Sequence, residues 1–428
     1  MFRTCRLGTR EYGIRCASVV MAAFICNMNK AYCETKKEPK LKILVIGSGL
    51  TGSLTALRIQ QRLNKPECLD IVVAERATYP AGRFGAGVSH HNIFADIGAQ
   101  VLSTVNPKDY RAANEGHGIA FEDIQLADSI VQSLLSQNLL LLARDTVLAE
   151  TEERMVFEGL WKHYFAIKGG MTQILRFLLN EARVQPIFGL RIDSLHVEED
   201  NSINVHGVLR EQGQANSPIA NKPFQDTFDF VIVCIPAPDA TKIKGVATNL
   251  SPRSRYVLEH VRYDKRICEV HFFSDRLSPY LAEALGDRVE QNVEDLNNDI
   301  EYVAWQNPKR SLTKVDDEFC SVVVHGQTNL QSKSLSLESV DATISQLTGL
   351  TKGEVASFRI KTKSICWDAS QMITPMEAII GDPPTRWQCL QNGRLILAGD
   401  YMTQSSFLGC VATADAAARA VEEAYKGY

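Results

Sequence analysis

The sequence predicts an α/β chain, α+β overall. A domain built on parallel strands is assembled from separated pieces of the chain and carries an inserted, mainly antiparallel β domain. Three observations predict this. Within residues 42–63, an apolar run, three glycines and an apolar-periodic stretch follow one another. Between 246 and 385, strands rich in aromatic and β-branched residues succeed each other with few helical patterns between them. At the end, a strand, a Gly-Asp loop and a helix close the chain.

The opening stretch, "KILVIGSGLTGSLTALRIQQRL", runs from an apolar strand (Ile43 to Ile46) through Gly47, Gly49 and Gly52 into Leu54, Leu57, Ile59 and Leu63. Strand, G-x-G-x-x-G, then helix is the context that a dinucleotide fingerprint requires. Gly47 lets the chain turn, Gly49 admits a pyrophosphate close to the backbone, and Gly52 permits tight helix packing. The helix start offers free N–H groups and partial positive charge to phosphates. "DIVVAE" is a second strand ending at Glu75, 23 residues after Gly52, where a carboxylate can accept from ribose hydroxyls.

The chain continues with the glycine-rich "AGRFGAG", containing Arg83, and with "FADIGAQVLS", a strand and turn around Asp96 and Gly98. "AFEDIQLADSIVQSLLSQNLLLL" is helical, and "TVLAETEERMVFEG" reads as a strand pair. Gly169 and Gly170 start a helix over "GGMTQILRFLLNEA". "VQPIFGLRIDSLHVEEDNSINVHG" alternates as a hairpin or meander does. Phe228 to Ile235 reads as a buried strand stopped by Pro236 and Pro238. "KRICEVHFFS", "IEYVAWQNPKR", "CSVVVHGQT" and "VASFRIKTKSICWD" supply the antiparallel sheet. Leu395 to Ala398 is the last strand, and a helix begins near Gly409. The expected division is a leader and linker at 1–41, a nucleotide-binding domain at 42–105, 159–245 and 386–428, and a substrate domain at 106–158 and 246–385.

Length and composition set the class. A chain of 428 residues, 45% apolar and 22% charged, has room for two or three domains of ordinary globular type. A net charge of −4 gives no general attraction for nucleic acid. The 11 cysteines show neither a C-x-x-C pair nor metal-ligand spacing, which argues against a zinc centre and against a small disulfide scaffold. No metal is expected. Four of them, Cys5, Cys16, Cys26 and Cys33, lie in the first 33 residues. There Arg3, Arg6, Arg10 and Arg15 precede the uncharged "CASVVMAAFIC". Charges before a short apolar run favour a secretory leader, with a mitochondrial presequence as the alternative. The run is too short for a comfortable span, which takes about 20 residues.

The C-terminal unit distinguishes FAD from NAD. A simple NAD dehydrogenase has no need of it, whereas a protein holding extended FAD does. Asp400, just past the last strand, is placed to accept from a ribityl hydroxyl. The helix near Gly409 can direct its N-terminus at the flavin N1–C2=O edge and stabilise reduced flavin. Arg83 is expected near the pyrophosphate.

"LVIGSGLTGSL", "AGR", "HN" (His91 and Asn92), "ADIGAQ", "FDFVIVCIPAP", the Trp367–Ser370–Gln371 step and "GD-x-x-TQSSFLGC", in this order, resemble the renalase family from about residue 42 to the end. The first motif is shared by many flavoproteins; "ADIGAQ", the Trp–Ser–Gln step and the last loop are more specific. The N-terminal extension and the "LREQGQANSPIANK" loop depart from the family pattern. The resemblance implies a Rossmann-type domain of the p-hydroxybenzoate hydroxylase and monoamine oxidase kind with noncovalent FAD. It implies oxidation of the 2- and 6-dihydro isomers of NAD(P)H to NAD(P)+, with dioxygen reduced to hydrogen peroxide. Leu50, Thr51, Gln100, Gln404, Ser405 and Gly409 then join Gly47, Gly49, Gly52, Glu75, Arg83 and Asp400 as cofactor-binding residues.

Hydride transfer from a dihydropyridine needs the donor stacked and shielded more than it needs acid–base help. Trp367, Gln371, Trp305, Gln306 and Asn307 are therefore expected along the substrate wall. His90 and His91 take structural or flavin-proximal positions, and the other histidines read as ordinary. The expected partners are a small-molecule dinucleotide and dioxygen, with no nucleic acid and no stable membrane span. An amine oxidase is the competing enzyme; neither Cys366 nor Cys410 sits in the tethering sequence of those enzymes. A secreted signalling or binding protein is the competing class.

Overall fold

A computed structural model describes residues 40–80, 82–90, 93–107, 120–143, 161–167, 169–210, 221–286, 290–293, 299–310, 319–328, 330–374 and 390–426. The leader, His91, Asn92 and the strand pair expected over "TVLAETEERMVFEG" lie outside the described residues. The chain divides into two compact units: Met1–Leu41 with Lys65–Asp70, and Lys42–Asn64 with Ile71–Tyr428. Of the first, the described part is residues 40–41 and 65–70, with a 3₁₀ turn at Pro66–Cys68. The elements below belong to the second, apart from Leu41 and Leu69–Asp70, the first residues of two strands.

The central sheet has six strands in the order Leu390–Asn392, Leu395–Leu397, Phe230–Val233, Leu41–Ile46, Leu69–Glu75 and Ile187–Phe188. Phe230–Val233 pairs in parallel with Leu41–Ile46 and with Leu395–Leu397, as does Leu69–Glu75 with Ile187–Phe188, whereas the Leu390–Asn392 edge is antiparallel. Burial on both faces explains the uninterrupted apolar runs. Leu44, Val231, Val233, Leu395 and Leu397 pack on one face against Leu190, Leu195, Ile203, Val205 and Phe228. Those residues come from the antiparallel meander Leu190–Val197, Ile203–Arg210 and Asn221–Phe228. The alternate residues Ile43, Val45, Ile232 and Ile396 are equally inaccessible.

The expected strand Phe228 to Ile235 is divided. Phe228 ends the meander and Phe230 opens the parallel strand, with Asp229 between them accepting from the Lys42 N–H at 2.8 Å. The first and last helices, Leu50–Leu63 and Phe407–Lys426, pack together. One carboxylate ties them. Asp415 accepts from Arg58 Nε at 2.8 Å, from Arg62 Nη2 at 2.8 Å and from Arg419 Nη1 at 2.6 Å. Burial alone would raise its pKa, but Arg62 and Arg58 outweigh burial and hold it below the usual carboxylate value.

A second sheet has five antiparallel strands: Glu290–Asn292, Ile300–Trp305, Phe319–Gly326, Arg266–Ser274 and Arg359–Trp367. "VASFRIKTKSICWD" is only partly strand. A capping box between Thr351 and Glu354 starts the helix Lys352–Phe358, and the strand follows it. Alternation sorts the faces. Cys268, Val270 and Phe272 meet Ala86, Ala95 and Ile97, whereas Ile267 and Phe273 meet Val303, Val322 and Val324.

Glu269 and His271 share that second face and are buried there, with His271 Nε2 3.1 Å from Glu269 Oε2. Burial drives the His271 pKa down. Burial opposes ionisation of Glu269, but His271 and the Leu335 N–H outweigh it and lower that pKa too. The folded pair is therefore a carboxylate beside a neutral imidazole. The unfolded chain takes up protons first as pH falls through the ordinary imidazole value of 6.5, and then through 4.5 for the carboxylate. Stability contributed above those values is lost on acidification. Thermal unfolding followed by circular dichroism at pH 7, 6, 5 and 4 should show a steadily falling midpoint, with a shallower slope in His271→Gln. Asp415→Ala leaves three guanidinium groups without their shared partner and should cost about 2–3 kcal/mol in urea unfolding.

Candidate functional site

The glycine loop is shaped from within. Gly47 has φ +99° and donates its N–H to Ala74 O at 2.8 Å. A side chain there would meet Ile235 Cγ2 at 2.7 Å. Gly52 faces the loop itself: an added Cβ would sit 1.9 Å from Gly47 O. Gly49 precedes the helix, and Leu50 and Thr51 form its first turn. Glu75 holds the loop closed. Its Oε2 accepts from Ser48 N at 2.9 Å and Ser48 Oγ at 2.8 Å, and its Oε1 accepts from Ala77 N at 2.8 Å. A carboxylate has about four acceptor sites, so one remains.

Gly47, Gly49, Leu50, Thr51 and Glu75 line a cavity of about 2010 Å³ that also reaches Arg83, Gln100, Trp367, Gln371, Asp400, Gln404 and Ser405. At that far end stands a buried carboxylate. Asp400 accepts from Arg83 Nη1 at 2.7 Å, Arg83 Nη2 at 2.9 Å, Tyr263 OH at 2.9 Å and Ser405 Oγ at 2.5 Å. Burial alone would raise its pKa; the Arg83 charge and these hydrogen bonds outweigh burial and keep it ionised. Burial and the neighbouring Asp400 drive the Tyr263 pKa up, so its hydroxyl stays a donor.

Arg83 pairs with Asp400 and donates to Ser370 O at 2.7 Å while lining the cavity. Asp400 takes these four donors while lining the cavity. The final helix begins at Phe407, two residues before the expected Gly409. Gly409 N–H donates to Ser406 Oγ at 3.0 Å, so the Ser406 side chain caps this helix.

The antiparallel sheet supplies the wall. Trp367, at the end of its strand, lines the cavity opposite Arg266 in the ladder. Gln371 lines it with an exposed side chain. Trp305 does not: Tyr302 and Ala304 take the cavity-side face, and alternation sends Trp305 into the core with Val303 and Val322. Asn307 bridges strands, donating to Phe319 O and accepting from Ser321 N, each at 2.9 Å. Gln306 is fully buried and donates to Gln100 Oε1 at 2.7 Å. Gln100 lines the cavity, but its amide is spent on Asp96 O, Gly98 O, Gln306 and Lys309. His90 packs against Phe272 and Phe319 at 5.3 and 5.9 Å between ring centroids.

Sequence reasoning missed Tyr263, Asp264, Arg266, Glu301, Tyr302 and His325. His325, read from sequence as ordinary, lines the cavity 5.1 Å from the Tyr302 ring. Burial, then Arg266, push its pKa down to about 3, so it is neutral near pH 7. Its only sequence signal is a polar residue at the end of an apolar strand. Arg266 pairs with Glu301 at 3.0 Å and approaches Asp264 at 3.7 Å. Cys268 and Cys410 have pKa values pushed up to about 12 by burial and are neutral thiols. Among the described residues no group of His, Cys, Asp and Glu could hold a metal ion, and no helix is long and apolar enough to cross a membrane.

No family model matches the sequence. Renalase of Mus musculus is 24% identical over 382 residues, covering 87% of this chain and 96% of that protein. Cyclohexylamine oxidase from Brevibacterium oxydans IH-35A superposes with a TM-score of 0.56 at 12% identity, over 91% of this chain and all of that one. A triple mutant of putrescine oxidase, from a redesign of cofactor binding, gives 0.50 at 11% identity, over 90% of this chain and all of that one. The chain is renalase-like over most of its length, on the fold of these amine oxidases.

Gly52→Ala forces the loop open against Gly47 O. It should lower unfolding stability by about 1–3 kcal/mol in urea titrations and weaken FAD binding at least tenfold, read by flavin fluorescence quenching.

Proposed function

We propose that the chain is an FAD-dependent oxidase that converts 2- and 6-dihydro isomers of NAD(P)H to NAD(P)+, with dioxygen becoming hydrogen peroxide. The observation carrying this reading is the cavity of about 2010 Å³, against about 300–1,000 Å³ for a pocket holding one drug-sized ligand. It runs from the glycine loop to the Trp367 wall, with room for a resident dinucleotide and a second ligand of comparable size.

The residues fit FAD. Side chains at Gly47 and Gly52 would collide with Ile235 and with Gly47 O, so the loop keeps its tight path; Gly49 lines the cavity at the start of the helix, and Glu75 retains an acceptor site for a ribose. Leu50, Thr51, Gln404 and Ser405 complete the lining. When bound, FAD supplies a two-electron acceptor that dioxygen can regenerate. The protein's part is to bind, orient and exclude water. Trp367 offers a flat face for stacking a dihydropyridine, and Gln371 an amide for its carboxamide. The balance is a dihydro isomer, dioxygen and one proton giving NAD(P)+ and hydrogen peroxide. No side chain must move a proton at the donor carbon, which suits a wall whose thiols and His325 are neutral.

The charges on the wall favour this reading over a small amine. Arg266 stands between Glu301, at 3.0 Å, and Asp264, at 3.7 Å, so an alkylammonium would have to displace Arg266 to use either carboxylate. The antiparallel segment serves as the substrate domain, and the basic, then apolar, N-terminus serves for export.

The test is anaerobic stopped-flow of FAD-loaded protein with the 6-dihydro isomer, ordinary NADH and a simple amine in parallel. Fast loss of flavin absorbance with the 6-dihydro isomer alone is the expected result. Loss with the amine alone would establish an amine oxidase instead. Trp367→Ala should slow that reduction about 10- to 100-fold while FAD stays bound; an unchanged rate would return Trp367 to a packing role.

A further inference from the structure

The strand Arg262–Tyr263 pairs antiparallel with Met372–Thr374, and the residue after it, Asp264, grips the chain just before that partner. Its N–H donates to Gln371 O at 2.8 Å, and its C=O accepts from Ser370 N–H at 2.9 Å. Its Oδ1 accepts from Gln371 N–H at 2.6 Å. Asp264 thus uses its main chain and its side chain on one dipeptide. Two further anchors act on the same stretch: Arg83 Nη1 donates to Ser370 O at 2.7 Å, and Met372 N–H donates to Ser405 Oγ at 2.9 Å.

Every one of these bonds is to backbone. The side chain of Gln371 is exposed and lines the cavity, and no hydrogen bond of its amide is seen among the described residues. Asp264 itself is buried. A buried carboxylate bound to a peptide N–H fixes a main chain far better than an exposed turn fixes itself. An amide held by its main chain but free at its tip can match one partner in both directions, its C=O accepting and its NH₂ donating. A primary carboxamide on a flat ring presents the reciprocal pair; a carboxylate presents acceptors only, and an amine donors only.

We propose that Gln371 determines specificity for a primary carboxamide on the substrate ring, and that Asp264 is the positioning residue that holds Gln371 in register. This deepens the dihydronicotinamide reading above and rests on it. The preference arises because a site built to hydrogen-bond a group discriminates strongly against an analogue lacking it.

The test compares FAD-loaded wild type, Gln371→Leu, Asp264→Ala and Asp264→Asn. The donors are the 6-dihydro isomer of NADH and its counterpart carrying a carboxylate in place of the carboxamide. Asp264→Asn keeps an oxygen acceptor for the Gln371 N–H and serves as the conservative rescue. In wild type, kcat/KM for the carboxamide should exceed that for the acid at least 30-fold. That ratio should fall about tenfold in Gln371→Leu and Asp264→Ala, mainly through KM, and stay within threefold of wild type in Asp264→Asn. FAD dissociation constants, read by flavin fluorescence, should stay within threefold throughout.

If Asp264→Ala does not fold, Gln371→Leu, altered at an exposed position, still decides the specificity claim, and Asp264→Asn is compared with wild type for its preserved ratio. A ratio unchanged in Gln371→Leu would overturn the proposal while leaving the oxidase reading intact. Equal losses of FAD affinity and of both substrates in Asp264→Ala and Asp264→Asn would make Asp264 merely structural and overturn its positioning role. Wild type that binds FAD but is reduced by neither dinucleotide would overturn both readings together.

Discussion

The structure is organised around one buried negative charge. Removing a carboxylate from water costs several kcal/mol unless donors replace its hydration. Asp400 recruits them from two distant stretches of chain and from its own loop: Arg83 from the glycine-rich segment, Tyr263 from the beginning of the antiparallel region and Ser405 five residues on. Arg83 then carries the linkage to Ser370. The segments that line the far end of the cavity are thereby held by a shared carboxylate, and none can shift without exposing a charge or orphaning a donor.

The wall follows a related logic with less net charge. Arg266 is flanked by the carboxylates of Glu301 and Asp264, while His325 and the thiols of Cys268 and Cys410 are neutral. Such a surface offers flat faces and directed hydrogen bonds more than a strong field. A delocalised ring with a polar substituent suits it better than a compact ion does.

Local patterns were readable in the sequence where one physical demand dominates. Ile43–Ile46 and Leu395–Leu397 are buried on both faces and read as unbroken apolar runs. The glycine loop reads because a side chain at Gly47 or Gly52 would collide with neighbouring atoms. Strand direction was less accessible. Trp305 looks like a stacking residue until the ladder shows that Tyr302 and Ala304 own the cavity face. Long-range partners were least accessible. Arg83 and Asp400 are 317 positions apart, and nothing local in either motif says that each satisfies the other. Asp264 and His325 were missed for the same reason, since their meaning lies in what another strand places beside them.

The order of strands in the parallel sheet has a consequence for biosynthesis. The strand Leu41–Ile46 has Phe230–Val233 beside it, and that strand in turn needs Leu395–Leu397. A ribosome releases neighbouring partners more than about 150 residues apart, and the lining from Asp400 to Cys410 follows the last of these strands. Sheet closure therefore waits for the synthesis of Leu395–Leu397, because non-local pairings must wait for both partners. An early nascent chain exposes apolar strand edges with no neighbour to cover them. Chaperones then have a defined window in which to act, and a chain truncated before Leu395 lacks both the last parallel strand and the end of the cradle.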